Sequence, residues 1–506
     1  MNDTPSPVRR RLALSSVDMI FILVLGIRAI AYQDILLHGD GDLASHLALG
    51  ERVLDTRSLP AHDPLTFSMQ DRPFVAHSWL GSVILALAYR AGGLPAVTVL
   101  ATAVLALAYS LIALLLRRHR LDARLVVAGA FTAVLLGTMH WLARPHIFTV
   151  LAAAVLIHLL EAERLRLWSF AALFAGWANL HGGFVFGLMV IVAYVLGAAA
   201  EARLTHDPTW RSRALRLLGA LGIATVASCA NPYGPMIFRH IANALGDDVT
   251  VTMTEEYRSP DFHDPTLLIF LLAIVATVVV LALVRPRASL PRLFAILIAM
   301  TAALHSARNV DVFSVTGWPL VWLCLGRVSV RRSARYWLGD DFARVERTAT
   351  PGLWMTVFFL LAVLLVANHG RVAGRQLLRR DFAASIYPAE AVRAARMANL
   401  RGPVFTHFTW GGYVALSWPE QRVFITGLKY DADVVRSYVI VASALPGWQR
   451  EIEKWRIAHV LVPTESPLVD AMRGQGGWCL FHTDSTASFV TRSAPAATSL
   501  CRTGVP

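Results

Sequence analysis

Long apolar stretches alternate with short polar ones from residue 17 to residue 368. Runs about as long as a helix crossing ~30 Å of hydrocarbon fall at 17–36, 95–116, 123–141, 146–160, 168–180 and 183–200. Others fall at 214–230, 265–284, 290–307, 310–326 and 351–368. The apolar run Trp79–Ala91 is shorter, and its length suits a helix lying on a membrane surface. From 371 onward the pattern changes. Short stretches at Pro403–His407, Tyr413–Trp418, Arg422–Thr426, His459–Pro463 and Trp478–Thr491 predict strands. Helical patterns at Pro388–Asn399, Asp431–Ala444 and Trp448–Trp455 lie between them, and glycines 411, 412, 476 and 477 predict turns.

Composition sharpens the class. Of 506 residues, 56% are hydrophobic and only 16% charged, with a mean hydropathy of +0.52. That excludes an ordinary soluble domain and predicts a polytopic α-helical membrane protein. The formal charge of +13 needs no nucleic acid, because Arg-rich loops between apolar spans produce it and no basic stripe is interleaved with aromatics. Arg9, Arg10 and Arg11 place the N-terminus in the cytoplasm. Arg117, Arg118, Arg120 and Arg124, then Arg164 and Arg166, then the Arg203–Arg216, Arg285–Arg292 and Arg327–Arg347 loops fall on that same side only if 79–91 does not cross. The expected topology is about eleven spans, N-terminus inside and C-terminus outside. The N-terminal run lacks a cleavage signal and reads as a retained span. The expected organisation is a membrane domain over 1–370, with a large first external loop at 37–94, and an extracytoplasmic α/β domain over 371–506. Four cysteines are too few for a disulfide framework or a thiolate metal site, although Cys479 and Cys501 would lie in an oxidising compartment where they could pair.

This topology puts nearly all the polar clusters on the outer face. They are Asp40, Asp42 and His46; Asp63-Pro64; His77-Ser78-Trp79; Arg144-Pro145-His146; Asn179-Leu180-His181-Gly182-Gly183; Asn231-Pro232-Tyr233-Gly234; Glu255-Glu256-Tyr257-Arg258; Asp261-Phe262-His263-Asp264; and His305 to Asn309. The inner loops hold little beyond arginine and turn residues. Carboxylates, imidazoles and guanidinium groups against a bilayer suit chemistry on a lipid-linked phosphate. Arg and His⁺ bind the phosphate, a carboxylate takes a proton from an attacking hydroxyl, and paired acids such as Asp40 and Asp42 can hold a divalent cation, Mg²⁺ or Mn²⁺. Each residue also has a plain structural reading: Asp40 and Asp42 as cap or turn carboxylates, Arg144 as a snorkelling anchor, Asn179 and His181 as partners for hairpin backbone. Arg28, inside the first span, is a further candidate by its depth alone.

The order of these motifs resembles the GT-C glycosyltransferases, the polyprenyl-phosphate-sugar-dependent integral membrane enzymes, and within them a group of poorly characterised bacterial proteins. The carrying residues are Asp40-Gly41-Asp42-Leu43-Ala44-Ser45-His46-Leu47, Asp63-Pro64-Leu65-Thr66-Phe67-Ser68, His77-Ser78-Trp79-Leu80 and Arg144-Pro145-His146-Ile147-Phe148. They continue with Trp177-Ala178-Asn179-Leu180-His181-Gly182-Gly183-Phe184, Asn231-Pro232-Tyr233-Gly234, Glu256-Tyr257-Arg258-Ser259-Pro260-Asp261-Phe262-His263, Arg308-Asn309 and Trp410-Gly411-Gly412-Tyr413. The resemblance implies a surface-lying helix in the first external loop and a catalytic base early in that loop, at Asp42 or Asp40. Asp42 is preferred because it opens an Asp-Leu-x-x-His pattern. His46, His77, Arg144, His146, Asn179, His181, Glu256, Arg258, His263, Arg308 and Asn309 are then expected around the donor. Two departures stand out: small residues Ala44 and Ser45 where aromatics are expected, and Thr426-Gly427-Leu428 where relatives tend to carry Asp-Gly-Arg.

The expected activity is transfer of a sugar from a polyprenyl-phosphate donor to a glycan, lipid or protein acceptor at the outer face of a bacterial cytoplasmic membrane. Membrane lipid is the expected surrounding and nucleic acid is not an expected partner. A transporter or channel would instead need polar residues at mid-span and an internal repeat. A non-catalytic assembly protein of the cell envelope would keep the fold and bind partners through its tail.

Overall fold

The computed structural model describes residues 12–246, 255–284, 289–326, 345–346, 348–473 and 475–492. The chain divides into two compact units. One is formed by 1–33, 98–141 and 145–378, the other by 34–97, 142–144 and 379–506.

The first unit is a bundle of helices. Among the described residues, four helices are long and apolar enough to cross a membrane: Trp79–Arg118, Ala123–His140, Phe184–Thr205 and Pro265–Val284. Shorter apolar helices cover His146–Leu160, Leu167–Leu180, Leu290–His305 and Leu353–Ala367. This is a membrane protein. The predicted 310–326 element is two helices, Val310–Val315 and Gly317–Leu325, interrupted at Thr316. The predicted 17–36 element is likewise broken: Ser16–Gly26 passes through a π-helical turn, Ile27–Ala31, before Gln33–His38. Arg28 sits in that turn, donates to Thr138 O at 2.5 Å and lies over the Trp141 ring. A widened turn supplies room for such an insertion. Small residues bring helices close in the bundle. A Cβ on Gly197 would overlap the backbone of Pro291, so Phe184–Thr205 and Leu290–His305 touch there. A two-residue ladder, β1 (Arg371–Val372) with β2 (Arg375–Gln376), follows the last apolar helix.

The long Trp79–Arg118 helix is two helices joined at Gly92 and Gly93, where φ/ψ leave the helical region and Gly93 takes φ +64°. Gly tolerates that conformation and Pro95 opens the second helix, where its missing N–H costs nothing. The break falls between the predicted surface helix 79–91 and the predicted span 95–116.

The second unit is α/β. Its sheet has strand order β3-β4-β6-β5, with β3 Val404–Thr406, β4 His459–Pro463, β5 Trp478–Thr483 and β6 Ala487–Arg492. β3 runs parallel to β4, and the other pairs are antiparallel. Helices Ala389–Met397, Ala432–Ala442 and Trp448–Lys454 confirm the predicted patterns. Two predictions fail. Tyr413–Trp418 is not a strand: Gly411–Ser417 forms a helix, and glycines 411 and 412 open it instead of making a turn. Arg422–Thr426 is an irregular segment that touches the sheet through isolated bridges, Val404 to Val423 and Thr66 to Val423. Burial on every side erased the alternation that separates strand from helix. The core joins Ala44 from the first polar loop to Trp410, Tyr413, Val414, Leu461 and Phe489 of the tail. The expected pairing of Cys479 with Cys501 lies outside the described residues.

Candidate active site

The acid pair is built by a turn and a helix start. Gly41 takes φ +78°, a conformation that favours glycine, and ends the chain's approach to the Asp42–Thr56 helix. Asp40 Oδ1 accepts from the Asp42 backbone N–H at 3.0 Å, a turn just ahead of a helix that carries a second carboxylate in its first turn. Arg144 Nη1 bridges the two acids, 2.7 Å from Asp40 Oδ2 and 2.9 Å from Asp42 Oδ2. One guanidinium thus offsets repulsion between carboxylates two residues apart and fixes their direction.

The tail presses on this turn through glycines. A Cβ on Gly427 would overlap the Asp42 carboxylate, one on Gly41 would overlap Thr409 O, and one on Gly412 would meet the Ser45 backbone nitrogen at 2.5 Å. Ala44 and Ser45 are fully buried at that contact. The small residues that departed from the resemblance therefore have a local reason: an aromatic at 44 or 45 has no space beneath Gly412. The same geometry accounts for Gly427, whose missing side chain admits the Asp42 carboxylate.

An aromatic group lies in the same unit. The Tyr387 ring is 5.6 Å from that of His38, 5.0 Å from Phe382 and 5.0 Å from Tyr413. Burial first, then the charges of Asp40 and Asp42, push the Tyr387 phenol well above its ordinary value, so it stays protonated. Among the described residues, neither the Tyr387 hydroxyl nor either ring nitrogen of His38 has a hydrogen-bond partner. Such orphaned buried groups usually mark a place where water or a ligand sits. The sequence places His38 at the head of the Asp40–His46 stretch without a role of its own, and it gives no sign of Tyr387. The only available signal was their aromatic neighbourhood, which reads as core.

His46 lies one turn along the helix from Asp42 with its ring turned inward, and its Nδ1 meets Ser82 Oγ at 2.9 Å. Burial, then the charges of Arg144 and His77, depress it to about 3. It is a neutral imidazole at any physiological pH. His77 belongs to the same unit and is close enough for its charge to be felt at His46.

The remaining predicted residues belong to the first unit. His146 Nε2 meets His140 O at 2.9 Å, and the two imidazoles lie 4.8 Å apart, tilted by 52°. His140 lies 3.6 Å from Glu256, and Glu256 lies 3.8 Å from Arg308, whose guanidinium covers the Tyr257 ring at 4.4 Å. The Arg258 carbonyl accepts from Ala307 N–H, which ties this segment to Arg308. His140, which the sequence did not single out, and Tyr257, which it placed only within the Glu256–Arg258 motif, complete the cluster. Asn179 and His181 sit elsewhere. Asn179 Nδ2 donates to the carbonyls of Ala175 and Ala230, while His181 Nδ1 accepts from Thr149 and from Gly183 N–H. His263 is fully exposed and bonded to Asp261 at 2.9 Å. Asn309 Nδ2 donates to Ala302 O.

A divalent cation does not fit the acid pair well. The position between the carboxylates is held by the Arg144 cation, and among the described residues no three His, Cys, Asp or Glu side chains converge on a point.

No protein-family profile matches the chain, and no curated protein sequence matches it either. Solved structures do. ArnT from Cupriavidus metallidurans bound to undecaprenyl phosphate aligns with a TM-score of 0.51 at 13% identity, over 96% of this chain and 99% of that one. The apo oligosaccharyltransferase of Archaeoglobus fulgidus aligns with a TM-score of 0.50 at 13% identity, over 88% of this chain and 69% of that one. Both are GT-C glycosyltransferases. The chain has the GT-C fold. The expected fold class is thereby met in its coarse form, a GT-C membrane domain of helices with a small sheet region towards the C-terminus.

Proposed function

We propose that this GT-C protein transfers a sugar from a polyprenyl-phosphate donor to an acceptor at the outer face of the cytoplasmic membrane. The carrying observation is the acid pair at a helix start, bridged by one buried guanidinium. The likeness to a structure of ArnT bound to undecaprenyl phosphate supports the donor class. In this reading Asp42 takes the proton from the acceptor hydroxyl, and Arg144 aims its carboxylate. The hydroxyl oxygen attacks the anomeric carbon, the carbon–phosphate oxygen bond breaks, and the lipid phosphate leaves with the electron pair. One direct displacement inverts the anomeric centre. No step is routed through a metal. The proposed topology is about eleven spans with the N-terminus inside and the 371–506 segment outside, as the arginine distribution indicates.

The test is transfer from radiolabelled polyprenyl-phosphate hexoses, a panel of sugars, in membranes that contain the protein. Asp42→Asn lowers transfer about 10²–10⁴-fold, the usual contribution of a general base, with the protein still inserted and folded. Wild-type rates in Asp42→Asn overturn the base assignment. Failure of the wild type with every donor, while undecaprenyl phosphate also fails to bind, overturns the reaction class.

A further inference from the structure

The first unit contains a cavity of about 450 Å³ that the transfer reaction does not use. Its lining comes from the helix ends and turns that carry the arginine-rich loops: His119, Glu161, Trp210, Arg213, Arg216 and Arg292 are among the residues facing it. The charges on its wall are unequally matched. Glu161 is buried and already saturated: Arg292 grips it through Nε at 3.1 Å and Nη2 at 2.6 Å, and Tyr194 donates to it at 2.7 Å. That acid and Arg292 cancel. Arg213 donates to the carbonyls of Leu160 and Ala162, at the C-terminal end of the His146–Leu160 helix. Arg216 donates to Ser212 and is exposed. Glu163 is the other carboxylate on the lining, and among the described residues neither Arg213 nor Arg216 forms an ion pair with a carboxylate, so two guanidinium groups against one acid leave the open wall with a small net positive charge beside the half-buried Trp210 indole.

An indole flanked by two arginines, at the mouth of a cavity between membrane helix ends, matches the head of an amphiphilic anion. The indole suits the glycerol and carbonyl depth of a leaflet, and the guanidinium groups suit a phosphate. We propose that this cavity binds the phosphate headgroup of an anionic phospholipid, with Arg213 and Arg216 as its phosphate ligands and Trp210 packed along the glycerol region. None of its lining residues belongs to the acid pair or bridges it, so the site is independent of the transfer reaction proposed above.

The experiment is native mass spectrometry of the full chain in detergent, titrated with dioleoyl phosphatidylglycerol, dioleoyl phosphatidylcholine or inorganic phosphate. Wild type retains phosphatidylglycerol at least about fivefold more strongly than phosphatidylcholine, and Arg216→Glu removes that preference, since one arginine near a membrane phosphate contributes about that factor. Arg216→Glu is the main variant because its side chain is exposed and spares the fold. Arg213→Gln is the second, and it also lowers phosphatidylglycerol retention. Competition by millimolar inorganic phosphate, with no requirement for acyl chains, overturns the lipid source in favour of a free phosphate ligand. Equal retention of the two lipids, or a preference unchanged in both variants, overturns the site.

Discussion

At the scale of single residues, two buried groups carry opposite instructions. His46 is neutral in the fold and charged when the chain unfolds below its ordinary value of 6.5. The unfolded chain therefore binds the extra proton between pH 6.5 and about 3, so His46 costs stability progressively as pH falls through that window. Thermal unfolding of wild type falls with acidification from pH 6.5 downward more steeply than that of His46→Gln, and parallel curves would refute the assignment. Tyr387 is a different case. Its hydroxyl is buried without a partner, and an unmet donor costs about 1–3 kcal/mol. Tyr387→Phe is expected to raise the thermal midpoint of the ligand-free protein while weakening acceptor use, read as a higher acceptor KM. A lowered midpoint would show that the phenol is satisfied within the fold. The sequence reading found the acids and Arg144, because charges at the ends of apolar runs are rare and conspicuous. It could not assign His38 a role or find Tyr387, since nothing in an aromatic's sequence position says whether its polar atom meets a partner.

Elements show where legibility ends. The apolar helices were readable because a run of that length admits little else, and the Arg117–Arg120 cluster separated the short run at 79–91 from the span at 95–116. The Gly411–Ser417 helix was misread as strand and turn, since a short segment buried all round has no periodicity to betray it. The Ala44 and Ser45 departure was legible as a fact and unexplained until Gly412 was found against it. The same contact logic gives a prediction at Gly427. Gly427→Ala puts a methyl group where the Asp42 carboxylate lies, so the acid shifts by a fraction of an ångström or more. Displacements of about 1 Å can cost about 10²-fold in rate. Transfer should fall by up to that factor while retention of undecaprenyl phosphate is unchanged; weakened lipid retention would mean that the substitution acts through the fold at large.

On the scale of the whole molecule, orientation was read from arginine alone, and it makes a direct claim. With the native cysteines replaced by serine, a cysteine at Glu163 should be labelled by a membrane-impermeant maleimide only after the cells are opened. A cysteine at Glu420 should be labelled in intact cells. The reverse pattern would invert the topology and, with it, the face on which the acid pair works. The division into units was not legible, because hydropathy ranks segments by their affinity for lipid and says nothing about which polar segments share a core.

The composition of the second unit sets an order of events during synthesis. Residues 34–97 leave the ribosome early, yet Ala44 packs with Trp410 and Phe489, and Leu49 and Val53 share a cluster with Leu428. Until the last quarter of the chain has been made, the early loop lacks these partners for its apolar face. Its native contacts span more than three hundred positions, which makes their closure slow. A nascent chain stalled before residue 379 would therefore hold that loop open to proteases and chaperones of its compartment, and quality control would sense completion of the polypeptide as disappearance of a cleavable segment near its beginning.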